Sequence, residues 1–278
     1  MTAVLPETAA SSSESGPQAA RPAAGGPRLR RAGLRGLVFV VVLIAVLQVI
    51  TTLIGSRYFP RPTQIAVALV EQLGDGALVV ALLGTLGSAL AGLALATVVG
   101  VLAGLLLGSS AWAFAVVKWV VEFLRPLPSV ALVPFAILLF GVGSTTTILA
   151  AFYASLWPVL FNTLYGVRDT DPVAVDSART FGLSRTQVLR RVVLPLALPN
   201  VLTGVRVASA IALVLTITVE LLTAAGGVGY FISFMQAAIR TPEMYAGVLV
   251  VGVLGYLIAL GVQAIERRLL FWNRREDS

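Results

Sequence analysis

An all-α integral membrane fold with about six transmembrane helices is predicted by three features of the chain. Its mean hydropathy is +0.93, only 12% of its 278 residues are charged, and its apolar runs repeatedly approach or exceed twenty residues. A soluble domain carries about a quarter charged residues. A helix crosses the hydrocarbon core with about 20 apolar residues, whereas a barrel strand shows ~10-residue alternation, which is absent here. Neither cysteine nor histidine occurs, which removes thiol nucleophiles, disulfides, imidazole bases and the usual soft-metal ligands. The net charge of +7 comes from arginines flanking apolar runs, the pattern of a membrane protein and not of a nucleic-acid surface.

Residues Met1 to Pro27, rich in Ala, Ser, Pro and Gly, cannot bury enough apolar surface to offset chain entropy and are expected to form a disordered tail. Arg28, Arg30, Arg31 and Arg35 precede the run Leu37 to Ile54. That run is longer than a signal-peptide core and lacks a small-residue cleavage site, so it reads as a retained first span. With its external segment, this unit occupies residues 28–77. The core, residues 78–272, holds five further candidate spans: Leu78 to Leu107, Trp112 to Phe140 with proline breaks, Thr145 to Val167, Val201 to Leu222, and Met244 to Ile265. Residues 273–278 form a short tail. Six spans put both ends on one side. The arginines of the tails and of Arg168 to Arg206 share that side, and only Arg57, Arg61 and Arg240 lie opposite. The positive-inside rule makes the arginine-rich side cytoplasmic.

Between the fourth and fifth spans stands "DPVAVDSARTFGLSRTQVLRRVVLPLALP", Asp171 to Pro199. Asp171 followed by Pro172 is a helix start. Gly182 suits a left-handed helix end, and Ser184 with Gln187 forms a capping box for a second helix. Val188 with Val192 and Leu189 with Val193 repeat at four-residue spacing. Pro195 and Pro199 are expected to stop or kink the chain before the next span. The result is a helix-turn-helix outside the bilayer, which on these residues alone could equally be an interfacial loop contacting lipid phosphates.

Asp176-Ser177-Ala178, three residues, Gly182, nine residues, then Val192-Val193-Leu194-Pro195 resembles the EAA loop of ABC-transporter permeases, with Asp for Glu and Ser for Ala. "FLRPLPSVALVPFAILLFGVG", "LFNTLYGVRDTDP", "GGVGYFI" and "IERRLLFW" are similar to the nitrate, sulfonate and taurine branch of these importers, over roughly Phe59 to Trp272. The resemblance implies a type I ABC importer permease in a bacterial inner membrane, with a coupling helix in the loop at 171–199. It implies partners: a cytoplasmic ABC ATPase dimer, a second permease subunit in a homodimer, and an extracytoplasmic solute-binding protein. It implies a coupling role for Asp176, Ser177, Ala178, Gly182, Leu194 and Pro195, and a small solute, such as a sulfonate, taurine or nitrate. No G-x-x-x-x-G-K-[ST] occurs, so ATP hydrolysis belongs to a partner, and no cofactor is expected.

Arg125, Pro128 and Pro134 mark a candidate pathway wall, since prolines free carbonyls that cannot face lipid. A kinked helix in which Lys118, Glu122 and Arg125 pair or snorkel explains them equally. Glu220 is costly against lipid and is expected to make a hydrogen bond at an outer gate. Gly100, Gly104 and Gly108 suit close helix packing, and Tyr230 and Phe231 are expected to anchor at the interface. An ion-coupled secondary transporter is the alternative, because broken helices mark those carriers too. A membrane enzyme would need clustered carboxylates, which the chain lacks.

Overall fold

The structure, a computed structural model, describes residues 28–124 and 126–270. The expected amino-terminal tail, Arg125 and the carboxy-terminal tail lie outside the described residues. Every described element is helical. In order they are α1 (Arg28–Ile54), α2 (Pro62–Gly74), α3 (Ala77–Ser109), α4 (Ala111–Leu124), a 3-10 turn (Ser129–Leu132), α5 (Val133–Phe140), α6 (Ser144–Arg168), α7 (Pro172–Thr180), α8 (Arg185–Val188), a π-turn (Leu189–Val193), α9 (Leu194–Leu222), α10 (Gly227–Ala237) and α11 (Thr241–Leu269).

The chain divides into two units, residues 1–47 and 48–278. The first holds most of α1, whose apolar stretch Val38–Ile54 falls just short of a spanning length among the described residues. In the second, four described helical runs are long and apolar enough to cross a membrane: α3, α6, the run Arg185–Ala237 that contains α9, and α11. A fifth crossing is built by α4 and the stretch Ser129–Phe140, bent by 84°. Of six expected spans, the third is therefore broken.

The core is a three-helix bundle of α3, α6 and α9. On α3, glycines form a seam against α6. A Cβ at Gly92 would lie 2.7 Å from Ala151 Cβ, at Gly100 2.9 Å from Val159 Cβ, at Gly104 2.6 Å from Thr163 Cβ, and at Gly108 2.8 Å from Val167 Cβ. In lipid, where apolar side chains gain nothing from leaving solvent, such backbone approach supplies the association energy through van der Waals contact. The expected ladder of Gly100, Gly104 and Gly108 is present, extended by Gly92. The partners climb both helices together, so α3 and α6 are parallel. The chain between them must return to the side where α3 began, which makes α4–α5 a crossing and not a re-entrant loop.

Helix α9 runs antiparallel to α6, and the crossing is reciprocal. Gly166 of α6 faces Asn200 of α9, and Gly204 of α9 faces Asn162 of α6; a Cβ at either glycine would lie 2.8 Å from the asparagine Cβ. Ser155 Oγ donates to the Ala208 carbonyl at 3.1 Å. The outward surfaces carry Leu102 and Leu106 of α3, Val214 and Leu222 of α9, and Val253 and Leu257 of α11, all exposed. In water such a belt would drive association; in a bilayer it meets acyl chains.

Pro195 and Pro199 do not stop the chain. A continuous helical path runs from Arg185 into α9, which starts at Leu194 and contains Pro199, well before the expected Val201. The π-turn immediately before Pro195 widens the backbone, which gives the proline ring room and removes the need for its missing N–H.

Candidate functional site

The caps and the turn of the segment between α6 and α9 form where the sequence predicts them. Asp171 Oδ1 accepts the Val173 N–H at 2.8 Å, capping α7. Gly182 has φ +80°, and the turn is closed by Gly182 N–H to the Arg179 carbonyl (2.9 Å) and Leu183 N–H to the Ala178 carbonyl (3.2 Å). Only glycine takes this left-handed geometry without strain. The capping box then starts α8: Ser184 N–H donates to Gln187 Oε1 at 2.8 Å, and Gln187 N–H donates to Ser184 Oγ at 3.4 Å. Beneath lies a small apolar core of Val167, Val188, Val193 and Ala197, flanked by Val175, Ala178, Leu183 and Leu189. This core makes the segment a stiff knuckle.

The coupling candidates divide accordingly. Asp176 and Ser177 are exposed on α7, Ala178 is half-buried in the small core, and Gly182 is exposed with open space around its Cα. These four share one helix and its turn. Leu194 and Pro195 are half-buried beyond the π-turn, in the first turn of α9. Asp176 pairs with Arg179 at 3.2 Å, both side chains well exposed, so the pair contributes little to stability. Phe181 is 85% exposed and Val173 68% exposed. Two apolar side chains at the ends of a polar helix are thus left bare, which charge and cap patterns do not reveal.

The four pathway candidates do not form one cluster. Arg125 lies outside the described residues. Pro128 caps the 3-10 turn and Pro134 lies in the first turn of α5, where the neighbouring Val133 is buried with Ala150, Ala154, Leu215 and Val219. A carbonyl at the break is satisfied by protein: Tyr153 Oη of α6 donates to the Leu124 carbonyl at 2.8 Å. Lys118 and Glu122 pair at 3.7 Å on α4, in accord with the kinked-helix reading. Glu220 faces elsewhere. It is 3% exposed, and its Oε2 accepts from Thr85 Oγ1 of α3 (2.8 Å) and from the Gly229 N–H of α10 (3.0 Å). Val228 N–H donates to Thr85 Oγ1 at 2.8 Å. Phe231 is buried beside Leu78, Val228 and Met235, not at an interface, because α10 packs among α3, α9 and α11. Tyr230 stays partly exposed, 6.0 Å from the Phe234 ring.

Comparison with known proteins places the chain in a transport family. The model of the binding-protein-dependent transport system inner membrane component family matches residues 96–271. The chain belongs to this family. The permease is 31% identical to the taurine transport system permease protein TauC of Escherichia coli, over 84% of its own length and 88% of that protein's. It is 32% identical to the putative aliphatic sulfonates transport permease protein SsuC of Bacillus subtilis, covering 88% and 90%. Among solved structures it resembles the inward-facing MetNI methionine ABC transporter, with TM-score 0.60 at 20% identity over 69% of this chain and 96% of that one. The last likeness concerns the fold. The permease is a membrane-embedded ABC transport subunit, not an enzyme.

Proposed function

We propose that this permease forms the pathway of an ATP-driven importer for a small sulfonate-type anion, with residues 171–195 as the handle gripped by a cytoplasmic ATPase dimer. The observation that carries the reading is the knuckle itself: Asp176, Ser177, Phe181 and Gly182 are exposed at the tip, and its small core continues into α9 without a break. A stiff handle on a spanning helix converts displacement of a docked surface into rigid-body movement. Leu194 and Pro195 form its root. The names of the two relatives, one for taurine and one for aliphatic sulfonates, support a solute that carries a sulfonate group.

The orientation follows charge. Arg168, Arg179, Arg185, Arg190, Arg191, Arg267 and Arg268 gather at helix ends on one side, and Arg57, Arg61 and Arg240 lie at the other, so both termini are cytoplasmic under the positive-inside rule. A solute-binding protein then meets the side of α2 and α10. The second permease subunit is taken to be another copy of this chain, packed on the face of α9 where Asn200 and Thr203 are exposed. Pro128 and Pro134 are assigned to the wall of the path and Arg125 to a cationic role there, while Glu220, buried against Thr85 and Gly229, acts on the outer end through α10 and not by meeting solute.

The test is Gly182→Val. A β-branched residue at φ +80° strains the tip by about 1–2 kcal/mol. Taurine uptake by reconstituted vesicles should fall about five- to thirtyfold on that basis, with membrane insertion intact. Normal uptake by that variant would refute the handle. A second reading rests on a 28% identical relative, the formylaminopyrimidine transport permease protein ThiX of Halalkalibacterium halodurans. Competition of taurine uptake by short alkanesulfonates and nitrate, but not by a formylaminopyrimidine, separates the two.

A further inference from the structure

We infer that Glu220 is a positioning residue for transport: it fastens the first turn of α10 to α3 and to the far end of α9, so that α10 travels with the helix that rises from the knuckle. A carboxyl group 3% exposed in a lipid-embedded bundle is costly unless its hydrogen bonds are met inside the protein. Its described partners come from other elements. The Val228 N–H donates to Thr85 Oγ1, the Thr85 hydroxyl donates to Glu220 Oε2, and the Gly229 N–H donates to the same oxygen. Two of the unpaired N–H groups that begin α10 are thus satisfied from α3 and α9, and an acceptor at a helix start also matches the helix dipole.

The glycines of "GGVG" are built around this side chain. A Cβ at Gly227 would overlap the Glu220 carboxyl group, and one at Gly229 would lie 2.6 Å from Glu220 Cβ. The clasp therefore needs glycine at both positions to seat α10 so closely. Below it, α9 is unbroken over 29 residues, roughly 40 Å at about 1.5 Å per residue. At its other end stands the knuckle. One rod thus carries a handle at one end and a fastened helix at the other, and movement entering at residues 171–193 reaches α10 only if the clasp holds. A mere folding pin would change how much transporter assembles. A positioning clasp changes how α10 follows α9 during the ATP cycle.

The inference rests on the reading of the knuckle as the ATPase handle, and the test separates the two. The chain contains no cysteine, so Val214→Cys on α9 and Gln236→Cys on α10 accept a pair of spin labels. Their distance distribution is measured in the reconstituted complex with its ATPase, nucleotide-free and after trapping with Mg-ATP and vanadate. The labelled parent should give one narrow distribution in both states. Glu220→Gln should match it, because the amide oxygen accepts the same bonds. Glu220→Ala and Thr85→Val should broaden the distribution at least about twofold on trapping, as α10 samples a second position. A narrow, unchanged distribution in assembled Glu220→Ala or Thr85→Val would overturn the clasp. Should Glu220→Ala not assemble, Thr85→Val, close in volume, decides alone. Failure of the labelled parent to retain the ATPase would sink the handle instead, and the same label pair in membranes holding the permease alone would still read the clasp: broadening in Thr85→Val supports it, and no broadening overturns it.

Discussion

The two ends of α9 are held in opposite ways. At the knuckle, every hydrogen bond that shapes the turn joins residues no more than five apart, and the tip is exposed. At the clasp, Glu220 is buried and reaches a residue 135 positions away. The first arrangement suits a surface that a separate protein must find; the second suits a joint that must not come apart. Stiffness at the knuckle is local, whereas stiffness at the clasp exists only once α3, α9 and α10 have met.

The same substitution at the two ends should therefore fail for different reasons. Gly229→Ala has the larger expected effect: its Cβ would lie 2.5 Å from the Ile217 carbonyl oxygen, so the helices must separate at a cost of about 1–3 kcal/mol, read as reduced thermal stability of the purified permease. Gly182→Ala meets open space and loses only about 1–2 kcal/mol to its left-handed backbone; stability should drop slightly while ATPase retention drops more. If the order is reversed, the contrast between the ends is wrong. Ser184→Ala removes one cap and should cost about 1 kcal/mol at the knuckle, visible as faster hydrogen exchange in α8 with none in α10. Smallest is Arg179→Ala, where loss of an exposed ion pair should change stability by less than about 0.5 kcal/mol; a larger loss would show that the tip is held by charge and not by caps.

This contrast also explains what could be read from the sequence. Asp171, Gly182 and Ser184 were legible because each acts within one turn, so spacing alone encodes them. The glycine ladder was legible because its period matches one helix face. The partners of Glu220 were not, since nothing local links it to Thr85, although the glycines of "GGVG" were the signal that something crowds that turn. Phe231 was misread as an interfacial anchor because an aromatic residue at a helix end looks alike in sequence whether it meets headgroups or Leu78. Pro195 reads in sequence as a stop or a kink; the stop does not occur because a π-turn accommodates the ring, and that turn has no pattern of its own. Phe181 carries no signal in sequence, because its bare exposure is a property of the folded tip.

The parallel seam between α3 and α6 bears on how the chain is made. The glycine face of α3 enters the bilayer while its partner is still being synthesised, and the helix that follows it directly, α4, is not the one that covers it. Until α6 arrives, that groove is lined by lipid alone. Completion of the bundle therefore waits on a helix two crossings later, and a block in insertion of the broken span leaves the glycine flank of α3 open.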